Sequence, residues 1–481
     1  MIPLSIGEIA RITGARLDGG ADPAAVVTGP VLMDSRRVSP GALFTAVEGE
    51  RVDGHDFAGL AGAAGAVAML GTRPAGVPGL IVDDVPGALA KLAQAVVARL
   101  PQAAIAGLTG SAGKTSTKDL TAQLVERLGP TVSPEGSYNN EFGFPLTVLR
   151  ADEQTRYLVL ELAARGPGHI AYLCEIAPPR VGAVLNVGHA HTGEFGGIEQ
   201  VARAKGELPA ALPAAAAGGV AILNADDDRV RAMVGRTEAR IVTFGLAGAS
   251  GSGGTSAGRP DFTAGGVRLD DLGRPAFTLV TPAGSAPVRL GVHGAHQVPN
   301  ALAAAAIAAE LGLDVDGIAD GLSTATARSR WRMEVRQTPG GVTVINDAYN
   351  ANPESVRAAL AALGHLARGR RSFAVLGQMA ELGEESRDSH LEAGAQAAGT
   401  GVAGLIVVGK EAEPILDGAL ATSGWHGEAL SVPDGPGAVA ALSGRLTAGD
   451  VVLVKASRAA GLERVAAALL SQPASEKETA Q

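Results

Sequence analysis

With 481 residues, 46% of them hydrophobic but only 3% aromatic, the chain is long enough for about three domains whose cores are built from Ala, Val and Leu. A net charge of −9 excludes the clustered-cation footprint of a nucleic-acid binder. A single cysteine, Cys174, excludes an internal disulfide framework and fits a reducing cytoplasm.

The N-terminal "MIPLSIGEIARITGARL" has no basic start ahead of an apolar run and reads as a small helix, not a signal peptide. Short β-like runs then alternate with turns: "GPVLMDSRRV", "GALFTAVEG", "AVAML" and "GLIVDD". The helical "PGALAKLAQAVVARL" leads into the strand "AAIAGL", which sets a first domain boundary near residue 85.

The middle part opens with strand, Gly-rich loop and helix, and the helix is expected to share one face among Leu120, Leu124, Val125 and Leu128. Strands follow at "YLVLEL", "VGAVLNV" and "GVAILN". "GLAGASGSGGTSAGRP" reads as a flexible surface insert, and "AFTLVTPAGSAPVRLGV" as a hairpin. An Ala-rich helix after "HQVPN" closes this region near residue 327. Its apolar run is too short and too Ala-rich to span a bilayer, so a soluble, cytoplasmic protein without membrane insertion is expected.

The last third repeats strand-helix logic at "VTVINDAY", "SFAVLGQ", "GLIVVGK" and "DVVLVKAS", as a second open, mostly parallel sheet would require. The polar tail "SQPASEKETAQ" is expected to be disordered. The fold class is α/β in three domains: a small N-terminal α/β unit at 1–84, a central phosphate-loop ATPase-type parallel sheet at 85–327, and a C-terminal Rossmann-like unit at 328–481.

"TGSAGKTS", Thr109 to Ser116, carries the chemistry of a phosphate cradle. The strict motif wants glycine at position 108, where this chain has Leu108. The mechanics remain. Gly110 and Gly113 let backbone N–H groups of the loop, including Ser111 and Ala112, converge on phosphate. Lys114 supplies a point charge, Thr115 a hydroxyl for Mg²⁺, and the helix N-terminus a favourable dipole. A nucleoside triphosphate is therefore expected.

Glu161, at the end of a strand, is either a Mg²⁺ ligand or a solvated strand end. His189 and His191 stand in the Gly-bounded loop "NVGHAHTGEFGG", where structural and ligand roles are both open; zinc-type Cys and His spacing is absent. Only seven of the 40 basic residues are lysine: Lys91, Lys114, Lys118, Lys205, Lys410, Lys455 and Lys477. A lysine retained in so Arg-rich a background marks a place where a guanidinium does not serve. Lys205 in "ARAKGEL" is either a surface lysine or an amine that takes up CO₂ as a carbamate, an anionic oxygen ligand for Mg²⁺. In "DAYNANP", Asn352 and Pro353 read as a helix cap with proline in the first turn, which leaves Asp347, Tyr349 and Asn350 for function.

Together, "DSRRVSPGALFTAVEGERVDGHDF", "TGSAGKTS", "SYNNEFGFPLT", "LELAARGPGHI", "AHTGEFGG", "AKGEL", "HQVPNALAAAA", "INDAYNANPESV", "GQMAELGEES" and "VKASRAAGLE" resemble the ATP-dependent Mur ligases over nearly the whole chain. "DAYNANP" points to the branch that adds D-alanyl-D-alanine to UDP-N-acetylmuramoyl-tripeptide through an acyl phosphate. The resemblance implies that Ser35 and Arg36 lie at the uridine end, and that Asn139 and Asn140 face substrate and phosphate. It implies Thr115 and Glu161 on one Mg²⁺, with His191 and carbamylated Lys205 on a second. Asn300 would meet adenine. Arg332 and Asp347 would reach the nucleotide, Arg332 being favoured over Arg330 by counting back from "DAYN". Tyr349 and Asn350 would lie close by, and Lys455, Ser457 and Arg458 would bind the dipeptide. Lys114, His191, Lys205 and Asp347 would carry catalysis, and a monomer is expected. Two positions depart from the family pattern: Gln297 replaces the usual Asn, and Gln378 the expected Asp. The rivals are a sister ligase that adds a diamino acid, opposed by "DAYNANP", and a non-ligating regulatory protein, opposed by the presence of Glu161, His191 and Lys205.

Overall fold

The computed structural model describes residues 1–49, 52–189, 192–246 and 259–471. Short apolar strands near the N-terminus form a five-stranded sheet in the order Arg16–Asp18, Gly79–Ile81, Ala68–Gly71, Leu43–Thr45, Val31–Leu32, parallel except at the Arg16–Asp18 edge. "SRR" within "GPVLMDSRRV" is a 3-10 turn, Ser35–Arg37, whose Arg36 amide is capped by the Asp34 side chain.

The middle of the chain forms a six-stranded, all-parallel sheet. Its order is Arg240–Phe244, Val220–Asn224, Val181–Val184, Ala104–Thr109, Tyr157–Glu161, Thr131–Val132. The four inner strands are buried on both faces, so they read as nearly continuous Val, Ile, Leu and Ala runs. Chain crossings leave to either side of Ala104–Thr109, which makes its carboxyl end the topological switch point where ligands settle in such sheets. The Ala-rich helix Gln297–Glu310 is buried continuously from Asn300 to Ala308 and packs against both the sheet and the helix Lys114–Val125. Methyl side chains permit that close approach on all sides.

One expectation is corrected here and a second is extended. Leu128 does not share the face of the loop helix, because that helix ends at Val125 and the chain turns at Glu126. The hairpin Pro275–Thr281 and Gly284–Arg289 exists but belongs to a three-stranded antiparallel sheet with Thr263–Leu269, whose two glycines and register shift hide the strand period. Residues 247–258 of the Gly/Ser insert lie outside the described residues, as do residues 472–481 of the polar tail.

The C-terminal sheet has the order Glu334–Gln337, Thr343–Asn346, Val451–Lys455, Ser372–Gly377, Gly404–Val408, Glu428–Val432. It is parallel apart from Glu334–Gln337. Neither outer strand has a buried residue, so neither carries the continuous apolar run that makes the inner strands legible. Among the described residues no helix is long and apolar enough to cross a membrane.

Candidate active site

The loop between the strand Ala104–Thr109 and the helix Lys114–Val125 turns on Gly113, which caps the helix with φ +81°. A side chain there would also run into Asn300 Oδ1, so glycine is required twice over. Leu108, the departure from the strict motif, is fully buried within the strand and takes no part in the loop. Lys114 Nζ donates to the Gly110 carbonyl at 2.6 Å. Burial lowers its pKa, the charge of Glu161 opposes that effect and the charge of Arg332 adds to it.

Glu161 pairs in register with Leu108, which sets its carboxylate beside the loop. It is 1% exposed, so the solvated strand end is ruled out. Oε1 accepts from Asn139 Nδ2 at 2.6 Å, and Oε2 is buried with no hydrogen-bond partner. A buried carboxylate oxygen left open next to the Thr115 hydroxyl loop is the donor set a hard divalent cation takes, so these residues fit Mg²⁺. Thr115 Oγ1 lies 3.0 Å from Ser137 Oγ.

Arg332 arrives from the far side. Its Nη2 donates to Thr115 Oγ1 at 3.1 Å and to Ser137 Oγ at 3.3 Å, and its guanidinium stacks 4.2 Å from the Tyr349 ring centre. Arg330 is exposed, so Arg332 is the one brought to the loop. The peptide is held in a strained form: Trp331 and Met333 have φ of 59° and 50°. Trp331 N–H donates to Glu334 Oε1 at 2.9 Å, and Met333 N–H to Asp347 Oδ1 at 3.0 Å. Left-handed bulky residues cost about 1–3 kcal/mol each and persist only where their surroundings fix them.

Lys205 closes the helix Ile198–Lys205 and is 4% exposed, so it is not a surface lysine. Burial, with the charge of Lys114 adding to it, holds its pKa well below the ordinary value. His191 lies outside the described residues. His189 meets Glu354 of the C-terminal sheet region, Nδ1 to Oε1 at 2.9 Å.

Three cavities surround this centre. One of about 610 Å³ is lined by Lys114, Thr115, Asn139, Glu161, Arg332 and Tyr349, and also by Asn350, Ser457 and Arg458. Ser137 and Asn140 line it too and equally line a cavity of about 950 Å³ that reaches Ser35 and Arg36. Arg36 is held by Asp34 through two bonds of 2.9 and 2.8 Å. The third, about 230 Å³, lies on the other side of the loop, between Gly113, Ser116, Phe244, Asn300 and Asp347.

Lys455 does not share the cavity of Ser457 and Arg458. It lines the third one, is 2% exposed, and bonds Asp347 Oδ2 at 2.6 Å and the Asn350 carbonyl at 2.9 Å. Ser457 Oγ is engaged by the Ala380 amide at 2.9 Å. Arg458 stacks on Trp331 at 4.4 Å and pairs with Glu463 at 2.8 Å. Sequence reasoning missed Ser137 and His296. His296 lines the third cavity, where burial lowers its pKa against the opposing charge of Asp347. Both stand inside quoted stretches, "SYNNEF" and "HQVPN", next to residues that were singled out.

This is a phosphate-loop enzyme site closed by an arginine from a second α/β sheet. The family models for the Mur ligase middle domain, the Mur ligase glutamate ligase domain and the Mur ligase family catalytic domain match residues 108–308, 331–458 and 30–101. UDP-N-acetylmuramoyl-tripeptide–D-alanyl-D-alanine ligase of Mycobacterium tuberculosis is 47% identical, over 98% of this chain and 98% of that protein. The Escherichia coli protein of the same name is 35% identical, over 98% and 99%. The crystal structure of MurF from Acinetobacter baumannii superposes with a TM-score of 0.82 at 31% identity, covering 98% and 99% of the chains. MurF ligase from Thermotoga maritima in complex with ADP gives 0.75 at 32%, covering 91% and 96%. The chain belongs to the Mur ligase family.

Proposed function

We propose that the chain joins D-alanyl-D-alanine to UDP-N-acetylmuramoyl-tripeptide with ATP, giving the pentapeptide precursor of peptidoglycan. The supporting observation is that Lys114, Glu161 and Arg332 line one cavity, and that Ser137 and Asn140 form a wall common to it and to the cavity at Ser35 and Arg36. A nucleotide on the loop and a long substrate reaching in from the N-terminal sheet thus meet end to end. Relatives bearing this activity in their name match the chain over nearly its whole length. In this reading residues 1–84 take the UDP-sugar, 85–327 the ATP, and 328–481 close over both.

A carboxylate is a poor electrophile. Its oxygen attacks the γ-phosphorus of ATP, the bond to the β-bridging oxygen breaks, and ADP leaves with that electron pair. The dipeptide amine then attacks the acyl phosphate carbon, loses a proton, and the tetrahedral intermediate expels inorganic phosphate to leave the amide. Both partners of the first step are anions, so Lys114 and Arg332 hold the phosphates and spread the developing charge. Thr115 and Glu161 would hold one Mg²⁺, and His191 with Lys205 a second; bound, these ions neutralise phosphate oxygens. Lys205 fits a carbamate. Its buried amine favours the neutral form, whose lone pair attacks CO₂ and which then sheds one proton. Asp347 fixes the Met333 amide and Lys455, which sets the Arg332 segment. Asn300 faces the third cavity, which would take the base. Of the groups matched to the dipeptide, Arg458 has an exposed cationic head in the main cavity.

The acyl phosphate hydrolyses in open water, so closure by the C-terminal sheet protects it. Buried, unpaired Cys174 fits the cytoplasm. The test is phosphate release with ATP, Mg²⁺ and UDP-N-acetylmuramoyl-tripeptide, with and without D-alanyl-D-alanine. Release only with the dipeptide, and the pentapeptide seen by mass, is expected. Turnover with a diamino acid on the shorter precursor instead would make this a sister ligase, and silence with every amine would defeat ligation.

A further inference from the structure

The helix Lys114–Val125 carries two lysines, and the second, Lys118, has no part in the ligase reading. It is 2% exposed. Its Nζ pairs with the neighbouring Asp119 carboxylate and donates to the Pro134 carbonyl at 2.9 Å. An ammonium group taken this far from water is costly unless its donors find partners. A methionine of similar reach would fill the same space without that cost, so the amine counts for what it bonds.

Pro134 lies near the start of residues 133–142, which form neither helix nor strand and have no ladder of their own to hold them. From the surface, Arg150 donates to the Ser133 carbonyl at 2.8 Å and Arg37 pairs with Glu135 at 3.1 Å, through side chains about half exposed and therefore weakly restraining. Lys118 holds the segment from the inside. Three residues beyond Pro134, Ser137 Oγ lies 3.0 Å from Thr115 Oγ1, and two further on Asn139 Nδ2 donates to Glu161 Oε1 at 2.6 Å. Thr115 and Lys118 stand one turn apart on the same face of the helix. The phosphate-loop helix thus meets this segment at two points, Pro134 and Ser137. Ser137 and Asn140 are in turn the wall common to the cavity of Lys114 and Glu161 and to the cavity of Ser35 and Arg36.

We propose that Lys118 is a positioning residue: by tying the Pro134 carbonyl to the phosphate-loop helix, it sets the wall Ser137–Asn140 at which the substrate carboxylate meets the γ-phosphate. This rests on the ligase reading above. It makes the cradle for ATP and the seat of the UDP-substrate two sides of one buried lysine, within the central sheet region.

The rival is that Lys118 only neutralises Asp119, whose Oδ2 accepts from the Ser329 amide at 2.9 Å. The test separates the two in the full chain. Lys118→Met leaves Asp119 buried without its cation and should lower the melting temperature. Lys118→Met combined with Asp119→Asn removes that charge, keeps an acceptor for Ser329, and should restore the melting temperature. In the double variant kcat for ligation should nevertheless stay about tenfold or more below the parent chain, because a wall displaced by a fraction of an ångström misaligns the reacting atoms. KM for UDP-N-acetylmuramoyl-tripeptide should rise several-fold, while the Kd for ATP with Mg²⁺ stays within about threefold, since the backbone cradle Gly110–Thr115 is untouched. Amide hydrogen exchange over residues 135–141 should speed up about tenfold or more, with the strand Ala104–Thr109 still protected. Lys91→Met, the same change at an exposed lysine, should leave every readout at the parent value. A double variant that regains the parent kcat along with its melting temperature would overturn the proposal in favour of the rival, and so would exchange over 135–141 at the parent rate. A parent chain that ligates nothing, while exchange responds as expected, would overturn the ligase reading and leave the tie from Lys118 to the wall standing.

Discussion

Arg332 shows how much one side chain is asked to do. It bonds Thr115 and Ser137 and stacks on Tyr349, a planar fork used on both its edge and its face. Lysine can offer neither the fork nor the stack. Arg332→Lys should therefore lower the rate of phosphate release by on the order of a hundredfold with little change in KM for the UDP-substrate, while Arg330→Ala stays near the parent rate. Lys205 makes a different demand. If its carbamate is a metal ligand, Lys205→Ala loses about a hundredfold or more in activity and regains part of it when formate or acetate is added at millimolar levels. Full activity without rescue would leave the buried amine a packing group. The scarcity of lysine in the sequence singled out Lys114, Lys205 and Lys455 as unusual; Lys205 and Lys455 are buried, and Lys114 is half-buried at the wall of the main cavity. What each amine faces was not legible. Lys455 was matched to the dipeptide, yet it is fixed by Asp347 across two neighbouring strands, a pairing that spans more than a hundred positions of chain.

At the scale of elements, the segment Gln378–His390 turns on a single buried imidazole. The Met379 N–H donates to His390 Nε2 at 2.9 Å, and His390 Nδ1–H donates to the Ser386 carbonyl at 2.6 Å, so the ring must be neutral. Burial lowers its pKa below the ordinary 6.5, and the Ser386 carbonyl only partly opposes this. The folded state then binds fewer protons than the unfolded chain. Its contribution to stability is complete above about pH 6.5 and is lost as pH falls toward the lower, folded pKa. Urea melts between pH 7.5 and 5 should show that decline, and His390→Asn should flatten this part of the slope at some loss of stability. The same segment supplies Glu381, whose carbonyl accepts from the Gly193 amide at 3.2 Å. Elements of this kind explain where the sequence was readable. Strands buried on both faces announced themselves by apolar runs, and Asn352-Pro353 announced a helix cap that proved to be a full capping box with Ser355. The edge strands Glu334–Gln337 and Glu428–Val432 announced nothing, because their pairing partners and not their own composition make them strands.

For the molecule as a whole, the central question is what holds the C-terminal sheet over the phosphate loop. Among the described residues its polar contacts run from Arg332 to Thr115 and Ser137, from Asn352 to Ser111, from Glu354 to His189, from the Glu381 carbonyl to the Gly193 amide, and from His365 and Arg368 to Asp270 and Asp271. The linker is better secured. Gln123 of the loop helix bonds both the carbonyl and the amide of Thr326 at 3.0 Å, and Asp119 Oδ2 takes the Ser329 amide at 2.9 Å. One face of the helix that carries the phosphate loop therefore anchors the chain up to Ser329, and the left-handed pair Trp331 and Met333 lies just beyond. An interface so polar is expected to tighten on nucleotide. ATP with Mg²⁺ at a hundred times its Kd should stabilise the chain by about 2.7 kcal/mol, seen as a higher melting temperature. Gly113→Ala, which strains the loop and collides with Asn300, should abolish that rise while leaving the unliganded melting temperature within a few degrees.

By itself the sequence determined the two parallel sheets, the phosphate loop and the family, because each is written in local pattern: apolar period, glycine at a turn, a lysine and hydroxyl at fixed spacing. Only the tertiary structure decided that Glu161 keeps an open buried oxygen, that Arg332 and not Arg330 crosses to the loop, and that Glu354 meets His189. Those outcomes depend on packing between segments as much as 217 residues apart. A contact between distant segments is set by how whole sheets and helices settle on one another, and no stretch of sequence carries that information locally.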